Sequence, residues 1–484
     1  MKKEIRFVDT TIRDGHQSLW AERMTTGMML PVAERLDRAG FAAIELMSGS
    51  HFKKGVRELG ENPWERIGLM AARMPNTPLW VNVGGIDTFG HDPESLYRLL
   101  LDRLVARGVR QMRISAHWND LDEWRERKDW SEASGLDCIL NIIYSISPRH
   151  TDAYYAERTR QAASLKPYRL CLKDPGGLLT PDRMRTLVPI VLKNSGGIPV
   201  ELHSHCTTGL GPMCAVEAIK LGIRIINTAI PPLADDASLP SVFNVARNAR
   251  VMGYKPLIDE AMLLPVSRHF EIVAKREGFP IGRPAPYDET QYQHQVPGGM
   301  ISNLRHQLAK VGMADRVEAA LKESIVVRAE LGYPIMVTPF SQFVGSQAAI
   351  NVIVGARYKQ VTDQVIRYAL GEFGREAIDN MDANVRDRIL DRPRAKELAK
   401  QAFTQPSLDE IRKTHGGPGV SDEDLILRWI VSAEEIAKVK AAGPIEEYFT
   451  GDTSLVSLVA DMTSRGDTRL IRVKGKDFAL TLER

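Results

Sequence analysis

The 484-residue chain is short of several things, and each shortage removes a class of protein. It has four cysteines, Cys138, Cys171, Cys206 and Cys214, at spacings that fit neither a zinc ribbon nor a dense disulfide frame. Three of them fall in apolar strand or helix patterns, the setting of reduced, buried thiols in a reducing compartment. No run of 18 apolar residues occurs, so no helical membrane span is expected. The N-terminal Met-Lys-Lys-Glu-Ile-Arg leads straight into an apolar strand pattern without the apolar core of a signal peptide, so the chain reads as cytoplasmic. Neither sign of charge is in excess. The 64 Lys and Arg against 61 Asp and Glu leave +3, without the basic stripe of a nucleic-acid-binding protein. Low-complexity tracts are absent.

What is present is a 43% hydrophobic composition, enough for a large core, on a length that predicts two domains. Eight short apolar runs cover residues 5–9, 42–47, 79–84, 111–115, 138–145, 169–174, 200–205 and 223–230. Between them lie amphipathic stretches at 28–39, 94–106, 152–164, 181–194 and 213–221. Eight such units in about 240 residues predict a (β/α)8 TIM barrel. The rival, a doubly wound open sheet, has fewer units and a glycine-rich first turn, and residues 10–16 are not glycine-rich. Helical patterns then dominate, at 259–278, 299–310, 314–331, 342–356, 360–369, 394–400 and 422–436. The division expected is a metal-binding barrel over 1–290, a helical domain closing the barrel mouth over 291–450, and an extension over 451–484 with a small hairpin at 470–473 and 478–482.

A TIM barrel concentrates chemistry at the C-terminal ends of its strands, and the polar residues of this sequence obey that. The first strand runs into Asp9, Thr10, Thr11, Arg13, Asp14, His16 and Gln17. The fourth carries Arg113 and continues Ser115-Ala116-His117-Trp118-Asn119-Asp120; the sixth ends Lys173-Asp174-Pro175-Gly176-Gly177; the seventh ends His203-Ser204-His205. Alternation along a strand puts His203 and His205 on one side, a two-imidazole arm for a divalent metal, or else two structural histidines. Asp14 can bring a carboxylate to the same point, because strands 1 and 7 approach each other in a closed barrel. One carboxylate with two imidazoles suits Zn, Mn or Co better than Mg. Lys173, at the end of an interior strand, is costly unless paired or modified. It either pairs with a carboxylate such as Asp174, or reacts as a partly neutral amine with CO₂ to give an anionic carbamate, or serves as a Schiff-base lysine.

Taken together, the segment from Asp9 to Ser18, Lys173-Asp174 followed by Pro-Gly-Gly-Leu-Leu, and His203-x-His205 resemble the biotin-dependent carboxyltransferases. These are the carboxyltransferase domain of pyruvate carboxylase, the alpha subunit of oxaloacetate decarboxylase and the 2-oxo-acid subunit of transcarboxylase. Pro297-Gly298-Gly299-Met300, Ser302-Asn303-Leu304, Val337-Thr338-Pro339 and Val344-Gly345 extend the resemblance across residues 5–450. It implies a barrel followed by a helical funnel. It implies that Asp14, His203, His205 and a carboxylated Lys173 hold the metal, that Arg13, Gln17 and Arg113 bind the 2-oxo acid, and that Thr338 passes a proton between substrate and biotin. On this resemblance Asp9 is a strand-end structural carboxylate and His16 a support residue.

Departures from the family pattern surround the substrate pocket and spare the metal set. They lie at residues 47–53, 114–120, 175–176, 206–207 and 231–236, and they make His51 and His117 candidate specificity groups. The biotinyl-lysine signature Met-Lys-Met is absent around Lys474 and Lys476, as is a biotin carboxylase portion. The implied partners are a biotin carboxyl carrier protein and a biotin carboxylase subunit, with a homodimer expected. Two rivals stand beside this reading. One is a metal-dependent lyase, aldolase or Claisen-type synthase on the same barrel, which Gly15 favours, since the carboxyltransferases mostly carry Ala there. The other is a non-catalytic subunit of a carboxylase complex.

Overall fold

The computed structural model describes residues 3–86, 92–297, 312–401, 405–417, 419–448, 469–474 and 479–483, with 301, 304, 305, 308, 309, 459, 462 and 463. Eight parallel strands form the centre: β1 (Glu4–Asp9), β2 (Ala43–Ser48), β3 (Leu79–Asn82), β4 (Gln111–Ser115), β5 (Asp137–Ile143), β6 (Arg169–Asp174), β7 (Val200–Ser204) and β8 (Ile225–Thr228). Strand β1 pairs with both β2 and β8, so the sheet closes into the expected barrel. A two-residue strand, Lys255–Pro256, adds to the lower end of β1. Helices cover the sheet from outside, and β2, β6 and β7 are buried at every position. Parallel strands covered this way read as near-continuous apolar runs, which is why all eight were visible in the sequence.

The connecting helices begin at side-chain caps. Thr25, Asn62, Asp120, Thr151 and Thr180 each accept a backbone N–H from the first turn of the helix that follows. Three covering helices, Pro63–Arg73, Leu121–Ala133 and Val242–Val251, have no counterpart among the expected stretches. In Leu121–Ala133 the buried face is only Trp124, Lys128 and Ser131, so it shows almost no apolar period. The helix expected over 422–436 is instead two. Asp422–Ile430 ends at extended Val431, and Ser432 opens Ala433–Ala442 through a reciprocal bond with Glu435. Much of the stretch expected at 299–310 lies outside the described residues, as do Gly298, Gly299, Met300, Ser302 and Asn303. The C-terminal hairpin pairs Leu470–Lys474 with Ala479–Glu483; Phe478 is outside the described residues.

Two main apolar cores result. The barrel core also takes in Ile411, Leu425, Ile426, Leu427, Ile430 and Ile436, so the helices after residue 405 pack on the outside of the barrel. Arg107 of the barrel ion-pairs Glu423 there at 2.6 Å. A separate helical core gathers Val327, Phe340, Phe343, Val344, Tyr368 and Ile389. One link to the barrel is Trp118, from the loop after β4, which is buried in that core and donates to the Phe373 carbonyl at 3.0 Å. Among the described residues no helix is long and apolar enough to cross a membrane.

Candidate active site

A cavity of about 910 Å³ opens at the C-terminal ends of the strands. Loops after β1, β2 and β4 supply one wall, and Met336, Val337, Thr338 and Pro339 of the helical region supply another. At its floor three groups from distant parts of the sequence converge. Asp14 sits in a single π-turn, Thr11–Gly15, that tightens the chain directly after β1. Its Oδ2 lies 3.3 Å from His203 Nε2 and 3.5 Å from His205 Nε2, and the two imidazole nitrogens are 3.3 Å apart.

The other nitrogen of each ring is occupied. His205 Nδ1 is 2.7 Å from the Ala237 carbonyl, and His203 Nδ1 is 3.0 Å from Asn227 Oδ1. Donation from Nδ1 to the Ala237 carbonyl leaves the His205 Nε2 lone pair aimed at a carboxylate and at His203 Nε2. His203 Nδ1 also faces the Arg113 Nη1 donor at 3.0 Å, and the tautomer that donates to Asn227 is the one that turns the His203 Nε2 lone pair to the same point. Acceptors gathered in that way repel unless a proton or a cation sits between them. This donor set fits a divalent metal, and these three are the metal-competent cluster among the described residues. Ser18 Oγ donates to Asp14 Oδ1 at 2.9 Å and fixes the remaining oxygen. Burial alone would raise the Asp14 pKa, but Arg13 and the two histidines hold it well below the usual carboxylate range.

Lys173, near the end of β6, lines the same cavity and is buried. One of the alternatives for it falls away here. Asp174 is not its partner, because that carboxylate accepts the Leu178 and Leu179 N–H groups at 2.8 Å each. Burial, with Arg113 and Arg13 nearby, pulls the Lys173 amine down to about 8. Such an amine is partly neutral near physiological pH and is reactive toward CO₂.

Arg13 spans the floor. It bonds Asp14 Oδ2 at 2.7 Å and Gln17 Oε1 at 3.0 Å, and it ion-pairs Glu45, a fully buried carboxylate on β2. Gln17 is exposed to the cavity. Thr338, from the helical region, is likewise exposed and lines it. Arg113 is not in the cavity lining. It lies under the histidines, 1% exposed, with Nη1 at 3.0 Å from His203 Nδ1 and Nη2 bonded to Glu201 Oε1 at 2.5 Å and Asn227 Oδ1 at 2.8 Å. Glu45, Glu201 and Asn227 did not stand out in the sequence. Their signal is a charged or amide residue inside an apolar strand run. His51 is also off the cavity wall, bonded to His16, whereas His117 lines it, with Nδ1 2.9 Å from Glu123 Oε1.

A family profile described as the conserved carboxylase domain matches residues 292–433. A pyruvate carboxylase subunit of Methanocaldococcus jannaschii is 33% identical over 466 residues, covering 92% of this chain and 82% of that one. The chain belongs to the biotin-dependent carboxyltransferase family. It is accordingly an enzyme of biotin-dependent carboxyl transfer with a 2-oxo acid. The 2-oxoglutarate carboxylase large subunit of Hydrogenobacter thermophilus is 31% identical over 377 residues, covering 77% of this chain and 58% of that one. The carboxyl transferase domain of Rhizobium etli pyruvate carboxylase shares the fold, with a TM-score of 0.82, 21% identity and coverage of 99% of this chain and 84% of that one.

Membership removes the force of Gly15 as a pointer to a lyase, and the structure gives the glycine another reason. A Cβ there would lie 3.0 Å from the Leu233 carbonyl oxygen and 3.2 Å from the Leu233 Cβ. Leu233 belongs to the divergent segment after β8, so the two departures from the family pattern compensate each other sterically.

Proposed function

We propose that this enzyme moves a carboxyl group between carboxybiotin, borne by a separate carrier protein, and a small 2-oxo acid of the pyruvate type, through the enolate of that acid. The observation that carries the reading is the meeting of Asp14, His203 and His205 within 3.5 Å at a cavity that a buried Lys173 and an exposed Thr338 also line. Asp14, His203, His205 and a Lys173 carbamate would hold a divalent ion, Zn, Mn or Co. When bound, such an ion supplies electrophilic stabilisation of negative charge on the substrate oxygen.

The side chains perform the rest. Arg13 presents a guanidinium to the anionic acid while Glu45 and Asp14 keep it from swinging away. Gln17, bonded to Arg13, extends the polar contact into the cavity. We assign Arg113 a positioning role in place of direct substrate contact. Its bonds to Glu201 and Asn227 fix the ring of His203 from below. Thr338 is the proton relay. A hydroxyl of ordinary pKa can take a proton from the acid's C3 and hand one to the ureido oxygen or nitrogen of biotin only when held within hydrogen-bond reach of both. Met336, Val337 and Pro339 around it limit water at the enolate. The archaeal relatives are themselves named as subunits of pyruvate carboxylase, which motivates an assembly in which the carrier and the biotin carboxylase are other chains.

The purified chain with free biotin should decarboxylate oxaloacetate, and His203→Ala should abolish both that activity and bound metal. Biotin-independent turnover of equal rate would refute the assignment.

A further inference from the structure

The cavity wall carries a carboxylate that the chemistry above does not use. Glu22 is only 7% exposed, yet its side chain lines the cavity. It follows Ala21, and the two residues are consecutive in the left-handed region, at φ 50 and φ 62. A non-glycine residue is strained there. Ala21 closes the helix His16–Trp20 and needs no other reason. The Glu22 N–H bonds the His16 carbonyl at 3.0 Å, so the turn that ends this helix also sets the Glu22 backbone and delivers its side chain to the cavity wall.

The wall fixes that carboxylate through a line of hydrogen bonds. Ser50 Oγ donates to Glu22 Oε1 at 2.6 Å, Ser48 Oγ lies 3.1 Å from Ser50 Oγ, and His51 Nδ1 lies 2.8 Å from Ser48 Oγ. His51 Nε2 in turn meets His16 Nε2 at 3.0 Å. His51 Nδ1 also accepts the Ser48 backbone N–H at 3.3 Å, so the part of the line that fixes Glu22 is Ser50 with Ser48 behind it. Ser48 and Ser50 also line the cavity. They belong to the segment after β2 that departs from the family pattern.

The wall is acidic on balance. Nine Asp or Glu residues line the cavity against five Lys or Arg. Of the five, Arg13 and Lys173 belong to the reacting end. Lys54, Arg127 and Arg375 are ion-paired with Glu58 at 3.5 Å, Glu123 at 3.5 Å and Asp379 at 3.4 Å. A second carboxylate on the substrate would therefore meet Glu22 in a wall where carboxylates outnumber cations and the remaining cations already face carboxylates, whereas a hydroxyl could donate to Glu22.

We propose that Glu22 is a specificity-determining residue that selects a 2-oxo acid with a hydrogen-bond donor on its side chain and rejects a 2-oxo dicarboxylic acid. The proposal rests on the carboxyltransferase reading above. Repulsion of the wrong acid and an unpaired buried acceptor with an apolar one act in the same direction.

The test compares 4-hydroxy-2-oxobutanoate, 2-oxobutanoate and 2-oxoglutarate as substrates of the full chain with free biotin. One arm follows deuterium exchange at C3 by NMR, and the other measures binding by calorimetry. The hydroxy acid should exceed 2-oxobutanoate at least tenfold in kcat/KM, with 2-oxoglutarate weakest. Glu22→Gln should raise 2-oxoglutarate relative to 2-oxobutanoate about tenfold. Ser50→Ala, a milder change, should move the ratio the same way by about threefold. Wild-type preference for 2-oxoglutarate, or a ratio shifted less than threefold by Glu22→Gln, overturns the proposal. Absence of exchange with all three acids refutes the carboxyltransferase reading, and the calorimetric order of the acids, with and without Glu22→Gln, then decides the role of Glu22 alone.

Discussion

Replacing Lys173 by methionine removes an amine that is out of place as a cation. Burial, Arg113 and Arg13 lower its pKa from an ordinary 10.5 to about 8. The folded state therefore binds fewer protons than the unfolded state between pH 8 and 10.5, so this group's contribution to stability rises with pH through that window. Below pH 8 the buried ammonium is a full penalty. At about 1.4 kcal/mol per pH unit the penalty amounts to roughly 3 kcal/mol. Lys173→Met should then stabilise the metal-free protein at pH 7 by up to that amount, and the gain should fade toward pH 10. Urea unfolding in CO₂-free buffer with chelator reads it directly. The same depression exposes a neutral amine. About 10% is neutral at pH 7, against about 0.03% for an ordinary lysine, a gain of roughly 300-fold. In ¹³C-bicarbonate, wild-type protein should show a carbamate resonance that Lys173→Met lacks. A mutant whose stability gain does not vary between pH 7 and 10, together with no carbamate on the wild type, would refute this account of the lysine.

Thr338→Ala should lower biotin-dependent turnover by about 10²–10⁴-fold while leaving the KM for the 2-oxo acid nearly unchanged, since a relay acts on protons and not on ground-state binding. Trp118→Ala should cost about 3–5 kcal/mol in denaturant unfolding, because its ring fills the helical core and ties the loop after β4 to it. Asp9 is a linkage case of opposite sign. Burial raises its pKa to about 7, so the folded state holds an extra proton between pH 4 and 7 and stability falls as pH rises through that range. Asp9→Asn should flatten a slope worth up to roughly 4 kcal/mol, read from unfolding midpoints across pH 4–7.

The barrel was legible because buried parallel strands are apolar runs, and because its chemistry sits where strands end. His203 and His205 could be paired from period two alone, and Asp14 followed from barrel closure. The charge-rich helix Leu121–Ala133 was not legible, since it buries three side chains and carries its charges all round. The break at Val431 was marked by Ser432 and Glu435, a capping pair three residues apart inside an apolar pattern that looked continuous. Arg113 shows a deeper limit. Its place at the end of β4 fits a substrate ligand, but the direction of its side chain is set by Glu201 and Asn227 on strands far away in sequence. The helices after residue 405 read as more of the helical domain, and only tertiary packing reveals that they clothe the barrel.

Transfer of a carboxyl group from biotin to a 2-oxo acid is assigned to the Asp14, His203, His205 and Lys173 cluster, with Thr338 as relay. The most direct measurement loads a biotinylated carrier with ¹⁴C-carboxyl and follows the label into the acid in the presence of this chain. Label should appear in the product acid with the wild type and vanish with Thr338→Ala. Label that stays on the carrier with every 2-oxo acid offered, or transfer that survives Thr338→Ala undiminished, would contradict the account.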